Sequence, residues 1–187
     1  HEEKVPLDVY PDPVNNPYLR EQLFTGGARS GAVADLTGGG WEDLVIACGW
    51  DGMAKQPNSF VFYGSEEGLT NKYLNYIPAP LSTAVAAGDF NGDDKVDLVF
   101  YSEKKLKIFY QTEHGFAPRD FEIHEIADVK QLEAGRFGNS SFADLLLRKE
   151  DGSCSIIRGS EKGLMFDNEE IIFEKDPDFV PRVTGRE

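Results

Sequence analysis

The chain repeats itself, and that constrains its fold more than any single motif does. Three segments superimpose when Asp35, Asp89 and Arg136 are aligned: "ADLTGGGWEDLVI", "GDFNGDDKVDLVF" and "GRFGNSSFADLLL". Each joins a turn-rich loop to an aspartate (Asp43, Asp97, Asp144) that opens an apolar run. A second anchor follows in every copy, "FYGSEEGL" at 62–69, "FYQTEHGF" at 109–116 and "IRGSEKGL" at 157–164. The loop anchors lie 54 and 47 residues apart, and the glycines Gly68, Gly115 and Gly163 lie 47 and 48 apart. The seven extra residues of the first interval fall between Asp43 and Gly68, where "GWDGMAKQPN" (49–58) reads as an insertion.

Each copy reads as four short strands. In the second they are "STAVAAG" (82–88), "DLVFYS" (97–102), "KLKIFYQ" (105–111) and "FEIHEI" (121–126), separated by Gly, Asp, Ser, Glu and Lys turns. The last two partly alternate, as half-buried strands do. "DLVFY", "DLVIAC" and "DLLL" are apolar on both faces, which suits a sheet covered on both sides. No amphipathic helix of useful length is visible. A four-stranded unit recurring every ~45–50 residues is the mark of a propeller blade. The expected fold is therefore all-β, a β-propeller of four-stranded antiparallel blades with about three blades present. Residues 1–15 form a Pro-rich leader and 16–187 the blades, with repeat loops at 35–43, 89–97 and 136–144. Tyr18-Leu19 match Tyr73-Leu74, and Gly185 falls in line with Gly88 and Gly135, at the opening of a fourth repeat. Three blades do not close a ring and leave sheet edges bare. The expectation is an incomplete propeller, completed by further blades in the same chain, by other copies or by another chain.

The second loop carries the chemistry. A cage for Ca²⁺ needs several hard oxygen ligands on a backbone curled around one point. Asp89, Asn91, Asp93 and Asp97 offer side-chain oxygens at odd positions of the loop, and Lys95 a backbone carbonyl. Gly92 permits the sharp turn, and Asp94, at the sixth position, is a residue that tolerates positive φ. An EF-hand would need a bidentate Glu at position twelve between two helices, but that position is Phe100 in an apolar strand run. The competing reading is that these acids only decorate a tight turn. The first loop offers a weaker second site, Asp35, Thr37 and Asp43, with Gly39 at the fifth position. The third keeps only Asp144 and has Arg136 in place of the first ligand. A cation there argues against metal, and Arg136 is expected to pair with a nearby carboxylate instead.

The pairing of "DFNGDDKVDLVF" with "FYGSEEGLT" resembles the FG-GAP and VCBS-type repeats of calcium-binding β-propellers. Such repeats occur in integrin α-chain heads, some fungal lectins and many secreted bacterial proteins. The resemblance covers about residues 30–175 and is closest in the second copy. It implies a structural Ca²⁺, a place outside the cell or at its surface, and recognition of carbohydrate or protein. It also leaves open a glycan-active enzyme, such as a polysaccharide lyase, or a structural spacer.

Composition narrows the rest. The 33 acidic residues against 19 basic give a net charge of −14, which argues against a nucleic-acid partner. No run approaches the ~18 apolar residues that a membrane helix needs, and no signal peptide is present in this chain. Cys48 and Cys154, 106 residues apart, lack metal spacing and read as two buried thiols or a disulfide. No nucleophile elbow, zincin motif or phosphate loop occurs, so no catalytic residue is nominated. For ligand contact the insertion is the candidate: Trp50 for stacking, with Asp51 and Lys55 beside it. "NSS" at Asn139 is a glycosylation sequon.

Overall fold

The computed structural model describes residue 23 and residues 25–50 and 58–174. Their architecture is all-β, three four-stranded sheets, and among the described residues the one helical element is a 3-10 turn at Asn71–Tyr73. Sheet I comprises β1 (Ala28–Ala34), β2 (Asp43–Cys48), β3 (Ser59–Phe62) and β4 (Leu74–Ile77). Sheet II comprises β5 (Ala84–Gly88), β6 (Asp97–Ser102), β7 (Lys105–Phe109) and β8 (Glu122–Glu125). Sheet III comprises β9 (Val129–Gly135), β10 (Asp144–Lys149), β11 (Cys154–Arg158) and β12 (Met165–Phe173). In every sheet the strands run in chain order, each antiparallel to the next. The four strands read from the second copy all form, trimmed by one to two residues at some ends.

Chain-order pairing follows from short connections, because a hairpin brings adjacent strands together with little loop entropy. The β6–β7 hairpin turns through Glu103 and Lys104, both left-handed at φ 48° and 63°. Two consecutive positive φ values give a turn whose twist matches the strands it joins.

Alternation along each strand then decides what meets what. In sheet II, Val85, Leu98, Phe100 and Phe109 join a buried cluster with Leu36, Val45, Ala47 and Val61 of the sheet I segment. The opposite face, Ala84, Ala86, Val99, Leu106 and Ile108, packs with Leu132, Leu145, Leu147 and Ile157 of sheet III. The middle sheet is thus covered on both faces, as its doubly apolar strands require. Burial at about 25 cal/mol per Å² of apolar surface makes these two seams the main source of cohesion. The first strands, β1, β5 and β9, lie side by side. Between β5 and β9 the approach is close: a side chain at Gly88 would begin 2.9 Å from Ala143 Cβ and 3.0 Å from Ala134 Cβ.

Polar contacts pin both seams. Lys107 Nζ donates to Pro78 O at 2.6 Å and sits 3.8 Å from the centre of the Phe121 ring, and burial pushes its pKa down. Tyr110 Oη accepts from Leu164 N at 3.1 Å across the second seam, and burial pushes its phenol up to about 12. His124 stacks on Phe166, ring centres 3.7 Å apart.

The outer faces of the end sheets differ. Where sheet II buries Ala84, Ala86 and Tyr101, sheet III has exposed Gln131, Glu133 and Arg148. Sheet I ends on an apolar face that leaves Val33 and Tyr76 exposed. The sheets do not close on one another among the described residues. Cys48 is buried in β2, but Cys154 is only half-buried, and no disulfide joins them. No helix among the described residues is long and apolar enough to cross a membrane.

Candidate metal centre

The loop before β6 is built by its own side chains. Asp89 Oδ1 accepts from Gly92 N at 2.6 Å and Asp93 N at 3.2 Å, while Oδ2 accepts from Asp94 N at 3.0 Å. Asn91 Oδ1 accepts from Asp93 N at 3.1 Å, and Asp93 Oδ1 from Lys95 N at 3.0 Å. Short polar side chains that bond the backbone two residues on are the usual makers of tight turns. Here Asn91 and Asp93 do so, and Asp89, reaching three to five residues on, closes the curl. Gly92 and Asp94 are both left-handed, φ 76° and 63°, so aspartate does take the conformation expected of it at the sixth position.

Asp97 belongs to a different layer. It is fully buried, with Oδ2 accepting from Phe90 N at 3.0 Å and Oδ1 from Gln111 N at 2.9 Å. One carboxylate therefore ties the loop to the chain leaving β7. The same clamp recurs in the other copies. Asp43 accepts from Leu36 N at 2.8 Å and Gly64 N at 2.7 Å; Asp144 accepts from Phe137 N at 3.0 Å and Gly159 N at 3.1 Å. All three bridge seven residues back to the loop and across to the chain after the third strand. The sequence carries the clamp as a common seven-residue spacing from Leu36, Phe90 and Phe137 to these aspartates.

Burial pushes the Asp97 carboxyl up to about 7, against the Gln111 and Phe90 N–H donors that lower it; the nearby Asp93 and Asp89 charges add to the rise. Without a cation, the crowded acids are thus relieved in part by a proton on Asp97. Among the described residues, no three His, Cys, Asp or Glu side chains converge as a metal cage. In the loop itself, the acids are turned towards backbone N–H groups. The donor chemistry still fits a hard cation: Asp89, Asn91, Asp93, the Lys95 carbonyl and Asp97 are all oxygen donors, and the carboxylate oxygens other than Asp89 Oδ1, which accepts two N–H groups, keep a further lone pair. Bound calcium would supply charge neutralisation there.

The first loop shares this path. Gly38 and Gly40 are left-handed at φ 68° and 80°, matching Gly92 and Asp94 in position. Asp35 accepts from Gly39 N at 3.1 Å and Gly40 N at 2.7 Å, and Thr37 Oγ1 donates to Asp35 at 3.3 Å. The Gly40 N–H, with those of Gly39 and Gly38 and the Thr37 hydroxyl, holds the Asp35 carboxyl below the ordinary carboxylate range. Asp35 and Thr37 line the exposed loop, while Asp43 is the buried clamp. The weaker site has the shape of the stronger and fewer oxygens.

The third loop takes another course, with no left-handed residue between 136 and 143. Its Phe142 ring lies against Gly92, where a Gly92 side chain would begin 2.3 Å from Cε1. Arg136 does not make the expected ion pair, because it stands exposed at the loop mouth, away from the buried acid. Arg158 on β11 does so: Nη1 lies 2.9 Å from Asp144 Oδ2 and Nη2 2.5 Å from Glu170 Oε2. Glu170 and Asp144 hold its guanidinium above its ordinary pKa. Arg158 occupies the position of Tyr63 and Tyr110, so "IRG" against "FYG" and "FYQ" was the overlooked sign. A fixed guanidinium thus serves the copy whose loop has lost its ligands. Arg158→Met is expected to lower the denaturation midpoint, by less than loss of the clamp acid itself, because Asp144 keeps its two N–H donors; urea unfolding of the variant checks this.

Trp50 is 63% exposed, with its carbonyl accepting from Arg29 Nη2 at 3.1 Å. Asp51 and Lys55 lie outside the described residues. Trp50, just past the end of β2, is at the opposite end of sheet I from the Asp35 loop, so the structure does not bring it to those loops. Among known proteins, no family model matches this chain, and no curated protein matches it significantly.

Proposed function

We propose that this chain is a calcium-stabilised segment of a β-propeller that acts outside the cell as a recognition module for carbohydrate or protein. The observation that carries the reading is the sandwiched middle sheet: it meets a neighbour on each face, while β1, β5 and β9 stand side by side and the oxygen-rich loops open at one end. In a propeller the first strand of each blade lines the axis, and further blades would continue both stacks. Calcium at Asp89, Asn91, Asp93, Lys95 and Asp97 would neutralise the clustered charge and stiffen the loop, a role in stability rather than catalysis. Extracellular calcium is high enough to fill a loop of modest affinity. Exposed Trp50 offers a flat apolar ring for a sugar or a partner chain.

A glycan array run with and without chelator tests the reading, beside a lyase assay that follows unsaturated-sugar absorbance. Binding without turnover is the expected result, weakened in Trp50→Ala. Growth of absorbance would replace it with a glycan-active enzyme, and no binding of glycan or protein would leave a spacer.

A further inference from the structure

The face that sheet II turns to sheet III is apolar, but the same face of sheet III is not. The first strands can be read position by position, with Gly88 of β5 in line with Gly135 of β9. Two and four residues before the glycine stand Ala86 and Ala84 in β5, but Glu133 and Gln131 in β9. Ala84 and Ala86 are buried in one cluster with Leu132 of the following sheet. Gln131 and Glu133 are exposed, at an open groove that Leu146, Arg148 and Cys154 also line. Gln131 Nε2 donates to Glu133 Oε1 at 2.6 Å, and no cation pairs with Glu133 among the described residues. The residue that reaches into a seam from the following first strand stands three before its glycine: Val85 faces sheet I and Leu132 faces sheet II. After β12 the series continues to Gly185, and at the place of Val85 and Leu132 it has Arg182. A cation thus enters the sequence where an anion replaces alanine.

We propose that residues 179–185, which lie outside the described residues, dock beside β9 as the first strand of a fourth unit, with Arg182 paired to Glu133. The inference rests on the propeller reading above. Chain length permits it: six residues join β4 to β5 and three join β8 to β9, while five separate Phe173 from Phe179. Val180, Val183 and Thr184 are β-branched and suit an extended strand, and Pro181 is tolerated where a strand begins or borders a sheet. Burying either charge alone in a seam is costly, so the two replacements are compatible only together. Paired, guanidinium and carboxylate form charge-assisted hydrogen bonds that set direction as well as strength. The first strands β1, β5 and β9 carry Gly31, Val85 and Leu132 at that place, so none could take this seat without burying Glu133 unpaired.

The test uses the whole chain in chelator and without sugar, so it does not depend on calcium or on a ligand. A nitroxide is attached at Thr184→Cys in a Cys154→Ser background, and backbone amide signals are read by NMR. Cys48 is buried in β2, out of reach of the label. The expected result is loss of the signals of residues 131–134, with those of β4, on the far side of sheet I, retained. Glu133→Lys should bring the lost signals back, and Glu133→Lys combined with Arg182→Glu should remove them again. Glu133 is exposed, so its replacement leaves the fold intact, and unshifted signals from sheets I and II check this. Signals of residues 131–134 that survive the label in the Glu133 protein overturn the docking. Loss that persists in Glu133→Lys, or that the exchanged pair fails to recover, overturns the ion pair while a stacked fourth unit still stands. That outcome separates failure of this inference from failure of the propeller reading.

Discussion

Asp97→Ala is expected to cost about 3–5 kcal/mol of unfolding free energy, the largest loss from any single side chain in the loop. The substitution strands the Phe90 and Gln111 N–H groups in a buried place, at about 1–3 kcal/mol each, and leaves a small void besides. Domains of this kind hold only about 5–15 kcal/mol in total, so the variant would sit near the edge of folding. Urea denaturation of the calcium-free protein reads the effect without any metal contribution. Asp97→Asn is expected to fall between, since its amide keeps one acceptor and turns an N–H towards a donor. A loss under about 1 kcal/mol in Asp97→Ala would mean that water reaches both N–H groups and that the clamp is no clamp.

Removing calcium is expected to have the next largest effect. At a free concentration one hundred times Kd, binding stabilises by about 2.7 kcal/mol. For a chain of this length that is roughly 5–10 °C in melting temperature. Asp93→Ala should abolish the calcium shift while leaving the chelated melt within about 0.5 kcal/mol of wild type, because Asp93 is exposed and anchors no other segment. pH separates the two layers of the site further. The folded Asp97 carboxyl, raised to about 7, binds its proton more tightly than the unfolded one at about 3.9. In chelator its contribution is therefore full below about pH 4 and is lost as pH rises through 7, on the order of 2 kcal/mol. Calcium demands the ionised ligand, so its stabilisation should grow over the same window. Melts from pH 4.5 to 8 in calcium and in chelator check both slopes, and a calcium shift independent of pH would remove Asp97 from the ligand set.

Much of the framework was legible because it is written three times. Two anchors in phase located the hairpins, partial alternation placed Lys105–Phe109 as a strand, and an apolar run on both faces placed Asp97–Ser102. The left-handed Asp94 followed from residue chemistry alone. What escaped was depth. Asp89 and Asp97 are the same residue type eight positions apart, yet one is half-buried at the loop mouth and one is sealed under the loop, a difference set by the seams rather than by the local string. Arg158 escaped for a related reason: its partner Asp144 is 14 residues away and meets it only because β10 pairs with β11. Arg136, which stands at the first ligand position itself, is the cation that the local string offers there. The polar face of sheet III was equally hidden, since Gln131, Glu133 and Arg148 read as ordinary alternation until the sheet to which they do not belong is known.

The recurring buried aspartate has a wider consequence. Because Asp43, Asp97 and Asp144 fasten each unit from beneath, the outward residues of the three loops answer to no common structural demand. One unit keeps a full set of oxygens, one a reduced set, and one has exchanged the set for an arginine while its strands stay in register. Divergence can thus proceed on the rim unit by unit, with the scaffold indifferent to the outcome. A single chain built this way carries several independent surfaces for selection to try, and the loss of one leaves the others standing.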